Sequence, residues 1–148
     1  MLYRGMEREA LDAAYNNTAA VGMERRDQYV ADWIARSGAV NLAWSPTRDI
    51  SYGPQPRQRL DVFSCAGVHS PTLLYIHGGY WQMSDKEAFG FIGEGLLPTG
   101  INLILVEYTL APDIHMDGIW LLYTSDAAHD MQGCGLRGGG ASKTTKYI

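Results

Sequence analysis

Cysteine is scarce in this sequence, and long apolar runs are missing. The 148 residues include two cysteines, Cys65 and Cys134, too few for a disulfide framework in a chain of this length. Cys65 is therefore expected to be a free thiol, buried or half-buried. No run approaches the roughly 18 apolar residues of a membrane span, and the first seven residues have no apolar core of signal-peptide length. These absences predict a cytoplasmic protein without a membrane partner.

Concentrated positive charge is missing as well. The formal net charge is −4, and no basic block is interleaved with aromatic residues. Nucleic acid is therefore not expected as a partner, because a nucleic-acid binder presents a basic face. His69, His115 and His129 show no spacing for a metal site, and no segment has the pattern of a phosphate-binding loop. We expect neither a metal nor a cofactor.

One stretch stands out among what is present. The apolar run from Thr72 to Ile76 predicts a strand buried on both faces. It breaks into the sequence His77-Gly78-Gly79-Tyr80-Trp81. Paired glycines after a strand allow a sharp turn and leave their N–H groups free to point into a cavity. Such N–H groups can stabilise the negative oxygen that develops when a carbonyl is attacked.

These residues carry a resemblance to a known family. The His77–Trp81 segment resembles the oxyanion-hole loop of α/β-hydrolases, in the His-Gly-Gly form found in esterases. Its Tyr-Trp ending is similar to the kynurenine formamidase (arylformamidase) branch. The segment Tyr108-Thr109-Leu110-Ala111-Pro112 resembles the one that follows the next strand in the same enzymes. The resemblance runs from the N-terminus to about Trp120. It implies that the substrate, a small-molecule partner, is a carboxylic ester or an aryl formamide. It also implies that hydrolysis proceeds through a Ser-His-Asp acyl-enzyme mechanism.

The resemblance also implies roles for individual residues. Gly78 and Gly79 would supply backbone N–H donors to the oxyanion. His77, Tyr80 and Trp81 would line the substrate site, although the two aromatic residues could equally be packed in a core. His77 is not expected to be the catalytic base, which comes late in the chain in this family. It is expected to form a hydrogen bond within its loop and hold the glycines.

The N-terminal half predicts two helices and a hairpin. Residues 7–15 and 24–37 have helical spacing of apolar side chains, with Gly38 placed to end the second helix. That helix could pack on the domain or cap an active site. Residues 49–52 and 58–63 predict an antiparallel pair of strands, the second with Arg59 and Asp61 on a solvent-exposed face.

The next segment predicts a strand–helix–strand unit. Ser84 and Glu87 match a capping box for a helix over residues 85–97, whose inner face carries Ala88, Phe89, Ile92 and Leu96. Residues 101–108 predict a second buried strand, parallel to the first. Together these elements predict an α/β protein with an incomplete α/β-hydrolase fold: N-terminal helices, an antiparallel hairpin and a parallel βαβ unit, spanning residues 1–120.

The catalytic nucleophile, acid and base of the family are absent. No G-x-S-x-G elbow occurs; Gly140-Ala141-Ser142-Lys143-Thr144 lacks the second glycine, and Ser125 has no elbow. Residues 121–148 form a separate tail without core periodicity. Leu121 to Ala128 resembles a translated sequencing-library adapter, and a divergent or frameshifted tail is the alternative. Three interpretations stay open: a formamidase-like enzyme, a general carboxylesterase, or an inactive fragment whose last strand is an exposed apolar edge that promotes self-association.

Overall fold

A computed structural model describes residues 3–65, 67 and 69–119. Three helices come first: α1 (Arg8–Tyr15), α2 (Asn17–Val21) and α3 (Met23–Trp44). The strands β1 (Thr47–Ser51), β2 (Arg59–Phe63) and β3 (Thr72–Ile76) follow. A 3₁₀ helix (Lys86–Ile92), α4 (Gly93–Leu96) and a 3₁₀ turn (Leu97–Thr99) lead to β4 (Asn102–Val106), and residues 116–119 are helical. The interpretations of Trp120, Ser125, His129, Cys134 and Ser142, and of the whole tail, concern residues outside this range.

The four strands form one mixed sheet in the order β1-β2-β4-β3. β1 pairs with β2, and β2 with β4, in antiparallel register, with Leu60 opposite Val106. β3 and β4 are parallel, with Ile76 also opposite Val106. The predicted hairpin and the predicted parallel pair are therefore both confirmed. Because β3 and β4 run the same way, the residues that follow them meet at one edge of the sheet.

The core lies where α3 and the segment of residues 86–99 cover the sheet. Five buried side chains form its centre: Val40, Phe63, Leu97, Leu103 and Leu105. The partly buried residues around them include three of the four side chains predicted for the inner face of the helix before β4, with Ala88 outside this cluster. Cys65 also packs here as a half-buried free thiol, as expected.

Helix α3 is longer than predicted, because Gly38 does not end it. The helix continues to Trp44 and ends at Ser45, which adopts a left-handed conformation. Val40 is buried in the core and Trp44 packs against it. Burying these side chains outweighs the roughly 1 kcal/mol by which glycine disfavours a helix. Ser37 fixes the docking of α3, since its Oγ donates to the Ala88 carbonyl at 3.1 Å and accepts from the N–H of Phe91 at 3.0 Å.

The prediction that β3 is buried on both faces was wrong. Leu73 and Leu74 are 40% and 38% exposed. Within the described part of the chain, β3 pairs with β4 alone and lies at the edge of the sheet. The expectation that the last strand forms this edge was wrong for the same reason: β4 lies between β2 and β3, and its central residues are buried.

Two further expectations fail at Lys86. Asp61 does not face solvent but is buried in an ion pair with the Lys86 ammonium, at 2.9 Å. Ser84 does not cap the following helix; the Asp85 carboxylate does, accepting from the N–H of Ala88 at 3.2 Å. The helix begins one residue later than a Ser84 cap requires because Lys86 is held at both its side chain and its backbone N–H.

Candidate functional site

The candidate site lies where β3 and β4 end. The His77–Trp81 loop follows β3, and Glu107 and Tyr108 follow β4. The Trp81 carbonyl accepts a hydrogen bond from the N–H of Ala111 at 2.8 Å. The two segments that carry the family resemblance are therefore joined in space.

The His77 ring is fully enclosed. It stacks on Tyr108 with a centroid separation of 4.6 Å and on Phe89 at 5.9 Å. Its Nε2 lies 3.0 Å from Oε1 of Glu107, and its Nδ1 lies 2.8 Å from the carbonyl oxygen of Gly78. His77 thus forms a hydrogen bond within its own loop and a second one to the end of β4.

Glu107 collects donors from several parts of the chain. Its Oε1 accepts from Arg57 Nη2 at 2.8 Å, from His77 Nε2 and from the N–H of Tyr108 at 2.9 Å. Its Oε2 accepts from the N–H of Lys86 at 3.0 Å. Burial opposes ionisation of this carboxyl, but the hydrogen bonds from His77, Lys86 and Tyr108 outweigh it and lower the pKa of Glu107. The group is a carboxylate at neutral pH.

Three consecutive carbonyls of the loop are held by internal donors. The His77 carbonyl accepts from Tyr108 Oη at 3.0 Å, and the Gly78 carbonyl faces His77 Nδ1. The Gly79 carbonyl accepts from the N–H groups of residues 82 and 83, both at 3.1 Å. In a planar trans peptide, C=O and N–H point in opposite directions. The N–H groups of Gly78, Gly79 and Tyr80 therefore point away from these partners.

None of these three N–H groups donates to another described residue. Sequence reasoning assigned the donor role to Gly78 and Gly79 and did not consider the Tyr80 N–H, which is equally without an acceptor among the described residues. The sequence does not reveal that the Gly79 carbonyl accepts hydrogen bonds from the N–H groups of residues 82 and 83, because this depends on how the chain folds back there. Successive backbone N–H groups without internal acceptors can form an anion-binding concavity.

The backbone of the loop is strained. Gly79 has a φ of 125°, and a Cβ placed there would collide with the Met83 carbonyl. Tyr80, Trp81 and Ser84 have φ values of 57°, 59° and 80°, in the region that L residues rarely adopt. Such strain is kept where the surrounding structure over-determines a functional conformation.

Tyr80 and Trp81 lie outside the core cluster. They are 77% and 42% exposed, and their ring centroids are 5.9 Å apart. Neither ring is packed in the core formed by the described residues, which was the alternative kept open for both. Both rings are available to a molecule that approaches the turn.

A groove beside the turn was not anticipated from the sequence. Its volume is about 280 Å³, and it lies between helices α2 and α3 and the segment that follows Trp81. Ser84 borders both the groove and the turn, since its Oγ is 2.9 Å from the position of a Cβ on Gly79. Most of the wall is apolar or aromatic: Val21, Tyr29, Val30, Trp33 and Met83.

Among the residues that the structure describes, no three His, Cys, Asp or Glu side chains group in a way that could hold a metal ion. No helix in this part has both the length and the apolar character needed to cross a bilayer.

The chain is similar to several known proteins, although no family model matches it. The kynurenine formamidase of Danio rerio is 30% identical over 121 residues, which cover 78% of this chain and 41% of that protein. A solved structure described as a candidate thioesterase, from a Silicibacter species, superposes with a TM-score of 0.72 at 26% identity. It covers 87% of this chain, which in turn covers 48% of that one. Esterase B of Lactobacillus rhamnosis gives a TM-score of 0.54 at 20% identity, over 74% of this chain and 42% of that one.

These similarities confirm the resemblance and the fold class. The chain is similar to kynurenine formamidases over part of their length, and its helices and mixed sheet form part of an α/β-hydrolase fold, as in its esterase and thioesterase neighbours. The chain spans less than half the length of each of these three proteins.

Proposed function

We propose that this chain carries the oxyanion-stabilising part of a hydrolase that acts on aryl formamides or carboxylic esters. In this proposal, the N–H groups of Gly78, Gly79 and Tyr80 donate to the oxygen that becomes negative when the substrate carbonyl is attacked. The supporting observation is the capture of three consecutive carbonyls inside the loop. Donors that are fixed before the reaction need no reorganisation when charge develops, which is why they lower the barrier.

The covalent chemistry belongs to the rest of the parent enzyme. A serine would attack the carbonyl, a histidine would take its proton, and an acid would orient that histidine. The tetrahedral intermediate would collapse to an acyl-enzyme as the bond to the arylamine or alcohol breaks and this leaving group takes the proton from the histidine; water would then attack the acyl-enzyme and release the acid. The N–H of the residue that follows the nucleophile would add a further oxyanion donor. His77 is enclosed between Tyr108 and Phe89, so its proposed role is to hold the turn.

An aryl formamide is the substrate class that the groove favours. Tyr29, Trp33 and Met83 give it faces suited to an aromatic ring. Its volume of about 280 Å³ is at the lower end of small-ligand sites. Tyr80 and Trp81 would close over the bound ring from the exposed side. A general carboxylesterase is the second candidate, supported by the fold shared with the thioesterase and with esterase B.

The 148-residue chain itself is proposed to be inactive, because its sequence contains no nucleophile elbow. A cytoplasmic location, a small-molecule partner and independence from cofactors remain predictions. Hydrolysis of nitrophenyl acetate and of formanilide by the chain should equal the rate without protein. Ser125→Ala and Ser142→Ala should not change that rate. Turnover above background that Ser142→Ala abolishes would overturn the inactive-fragment proposal.

The hydrolase proposal is tested on the parent gene. Amplification across codon 120 from the source material should give a reading frame that continues into G-x-S-x-G and later Asp and His. In that longer protein, Gly79→Ala should lower kcat/KM by about 10²–10³-fold, because a Cβ at this positive φ collides with the Met83 carbonyl and displaces the N–H, with an effect comparable to the loss of one oxyanion donor. Gly38→Ala, on the outside of α3, is the matched control and should leave kcat/KM unchanged. A longer protein that hydrolyses neither formanilide nor nitrophenyl acetate would refute the proposal.

A further inference from the structure

Glu107 occupies a fixed position between the sheet and the turn. Its backbone N–H donates to the Arg59 carbonyl at 2.8 Å, and its own carbonyl accepts from Tyr52 Oη at 2.6 Å. Its carboxylate accepts the side-chain and backbone hydrogen bonds described above. Arg57 is held in turn, because its Nε donates to the Tyr108 carbonyl at 3.1 Å and its Nη2 also donates to the Ser84 carbonyl at 2.8 Å.

The carboxylate fixes one edge of the His77 ring, and the ring fixes one peptide of the turn. Nε2 of His77 faces Glu107, and Nδ1 faces the Gly78 carbonyl. Because the peptide between Gly78 and Gly79 is planar, the direction of that carbonyl sets the direction of the Gly79 N–H. The next N–H, that of Tyr80, is set by different contacts, those of the Gly79 carbonyl.

We propose that Glu107 is a positioning residue for the oxyanion turn, acting through His77 on the orientation of the Gly79 N–H. This inference rests on the proposed hydrolase function for its catalytic meaning. Its structural content can be measured on the chain alone. Both ring nitrogens of His77 face acceptors, so the complete chain of contacts requires a proton on each.

Glu107→Gln is the informative variant. His77 and the N–H of Lys86 donate to different oxygens of Glu107. Glutamine has an NH₂ donor in place of one of these oxygens, so it cannot accept from both. It also removes the charge that strengthens these hydrogen bonds. Glu94→Gln is the matched control, because Glu94 forms an ion pair with Arg36 on the surface of α3, away from the turn.

The measurement is the set of ¹⁵N–¹H residual dipolar couplings, which report the direction of each N–H. In Glu107→Gln the coupling of Gly79 should change, that of Tyr80 should change less, and those of β4 should stay as in the unsubstituted protein. Glu94→Gln should leave all of them unchanged. A role in stability alone would change the unfolding equilibrium without changing native-state couplings. An unchanged Gly79 coupling in folded Glu107→Gln would refute the proposal.

A second measurement covers the case in which Glu107→Gln does not fold. Long-range ¹H–¹⁵N spectra of the unsubstituted chain show which ring nitrogens of His77 bear protons. Protons on both support the proposal, and a bare nitrogen at either position overturns it. Neither measurement depends on turnover. A longer protein without hydrolase activity would therefore refute the proposed function and leave this inference intact. An unchanged Gly79 coupling in Glu107→Gln would refute this inference and leave the proposed function intact.

Discussion

Replacing Lys86 with methionine should destabilise the fold more than any exposed ion-pair substitution in this chain. The Lys86 side chain is 1% exposed, and its Nζ lies 2.9 Å from the carboxylate of Asp61, which is 2% exposed. Asp49 and Glu87 add contacts at 3.0 and 2.7 Å from the more exposed side. Burial opposes the charge on Lys86, but its hydrogen bonds to these carboxylates outweigh it and raise its pKa.

The magnitude follows from what the substitution leaves behind. Methionine keeps most of the side-chain volume but leaves the Asp61 carboxylate buried without its main counter-charge. Breaking a buried pair in this way costs about 3–5 kcal/mol. Asp61 keeps the N–H of Asp49 at 2.8 Å and a longer contact to Arg48 at 3.5 Å, so we expect the lower end, about 3 kcal/mol. That is a large share of the roughly 5–15 kcal/mol that stabilises an ordinary domain.

Urea denaturation followed by tryptophan fluorescence measures this loss. The double variant Lys86→Met/Asp61→Asn should recover more than half of it, because a neutral pair of similar volume replaces the ion pair. Glu94→Gln, which breaks the exposed pair with Arg36, should have a much smaller effect. Because its pKa is raised in the folded protein, Lys86 contributes fully to the free energy of unfolding at any pH below the ordinary lysine pKa. This contribution falls only as the pH rises through the raised pKa. Equal losses for Lys86→Met and Glu94→Gln would contradict the reasoning.

Three other substitutions test separate features of the fold. Gly38→Ala should stabilise the protein by about 0.5–1 kcal/mol in the same denaturation assay, because α3 runs through this position and open space surrounds it; a loss of stability would contradict a continuous helix. Gly79→Ala should lower the free energy of unfolding by at least about 1–2 kcal/mol, because its φ is positive and a Cβ there meets the Met83 carbonyl. Gly78→Ala should lower it less, since a Cβ at Gly78 has no atom nearby. Equal losses for the two variants would contradict the assigned turn. Leu74→Lys should weaken self-association in sedimentation experiments by placing a charge on the exposed edge strand, whereas Leu42→Lys on α3 should not; equal effects would show that the β3 edge is not the contact.

The local sequence pattern predicted the helices and strands better than it predicted which of them pack against each other. Residues 72–76 form a strand, as their apolar run indicates, but the run itself does not say which strands flank it. The order β1-β2-β4-β3 places it at an edge. Asp61 alternates with apolar residues and so looked solvent-exposed. Its partner, Lys86, is distant in the sequence and reaches it only because the 3₁₀ helix packs across the sheet.

Gly38 shows the same limit for helices. Glycine is a common residue just beyond a helix C-terminus, and the spacing of apolar residues before it is complete. The helix continues because Val40 and Trp44, two and six residues further, meet the core. Tertiary burial decided the boundary, and no local signal around Gly38 contains that information.

The candidate site was predictable to the extent that its geometry is local. The glycine pair has no side chains to cover its N–H groups, and that follows from the sequence alone. The Tyr80 N–H and the groove do not, because both depend on contacts between segments. The groove in particular needs α2 and α3 to lie across residues 83 and 84.

The contacts that orient the turn all come from residues that the structure describes. Tyr108 holds the His77 carbonyl, His77 holds the Gly78 carbonyl, and Glu107 holds the His77 ring. Each of these residues lies between the start of β3 and the segment after β4, and Arg57 joins them from the loop before β2. Oxyanion donors are effective only if they are oriented before the substrate carbonyl is attacked. Because the contacts that set this orientation lie at the sheet edge itself, the N–H groups of the turn should keep their geometry in any longer protein that contains this segment, which is what the proposed oxyanion role requires.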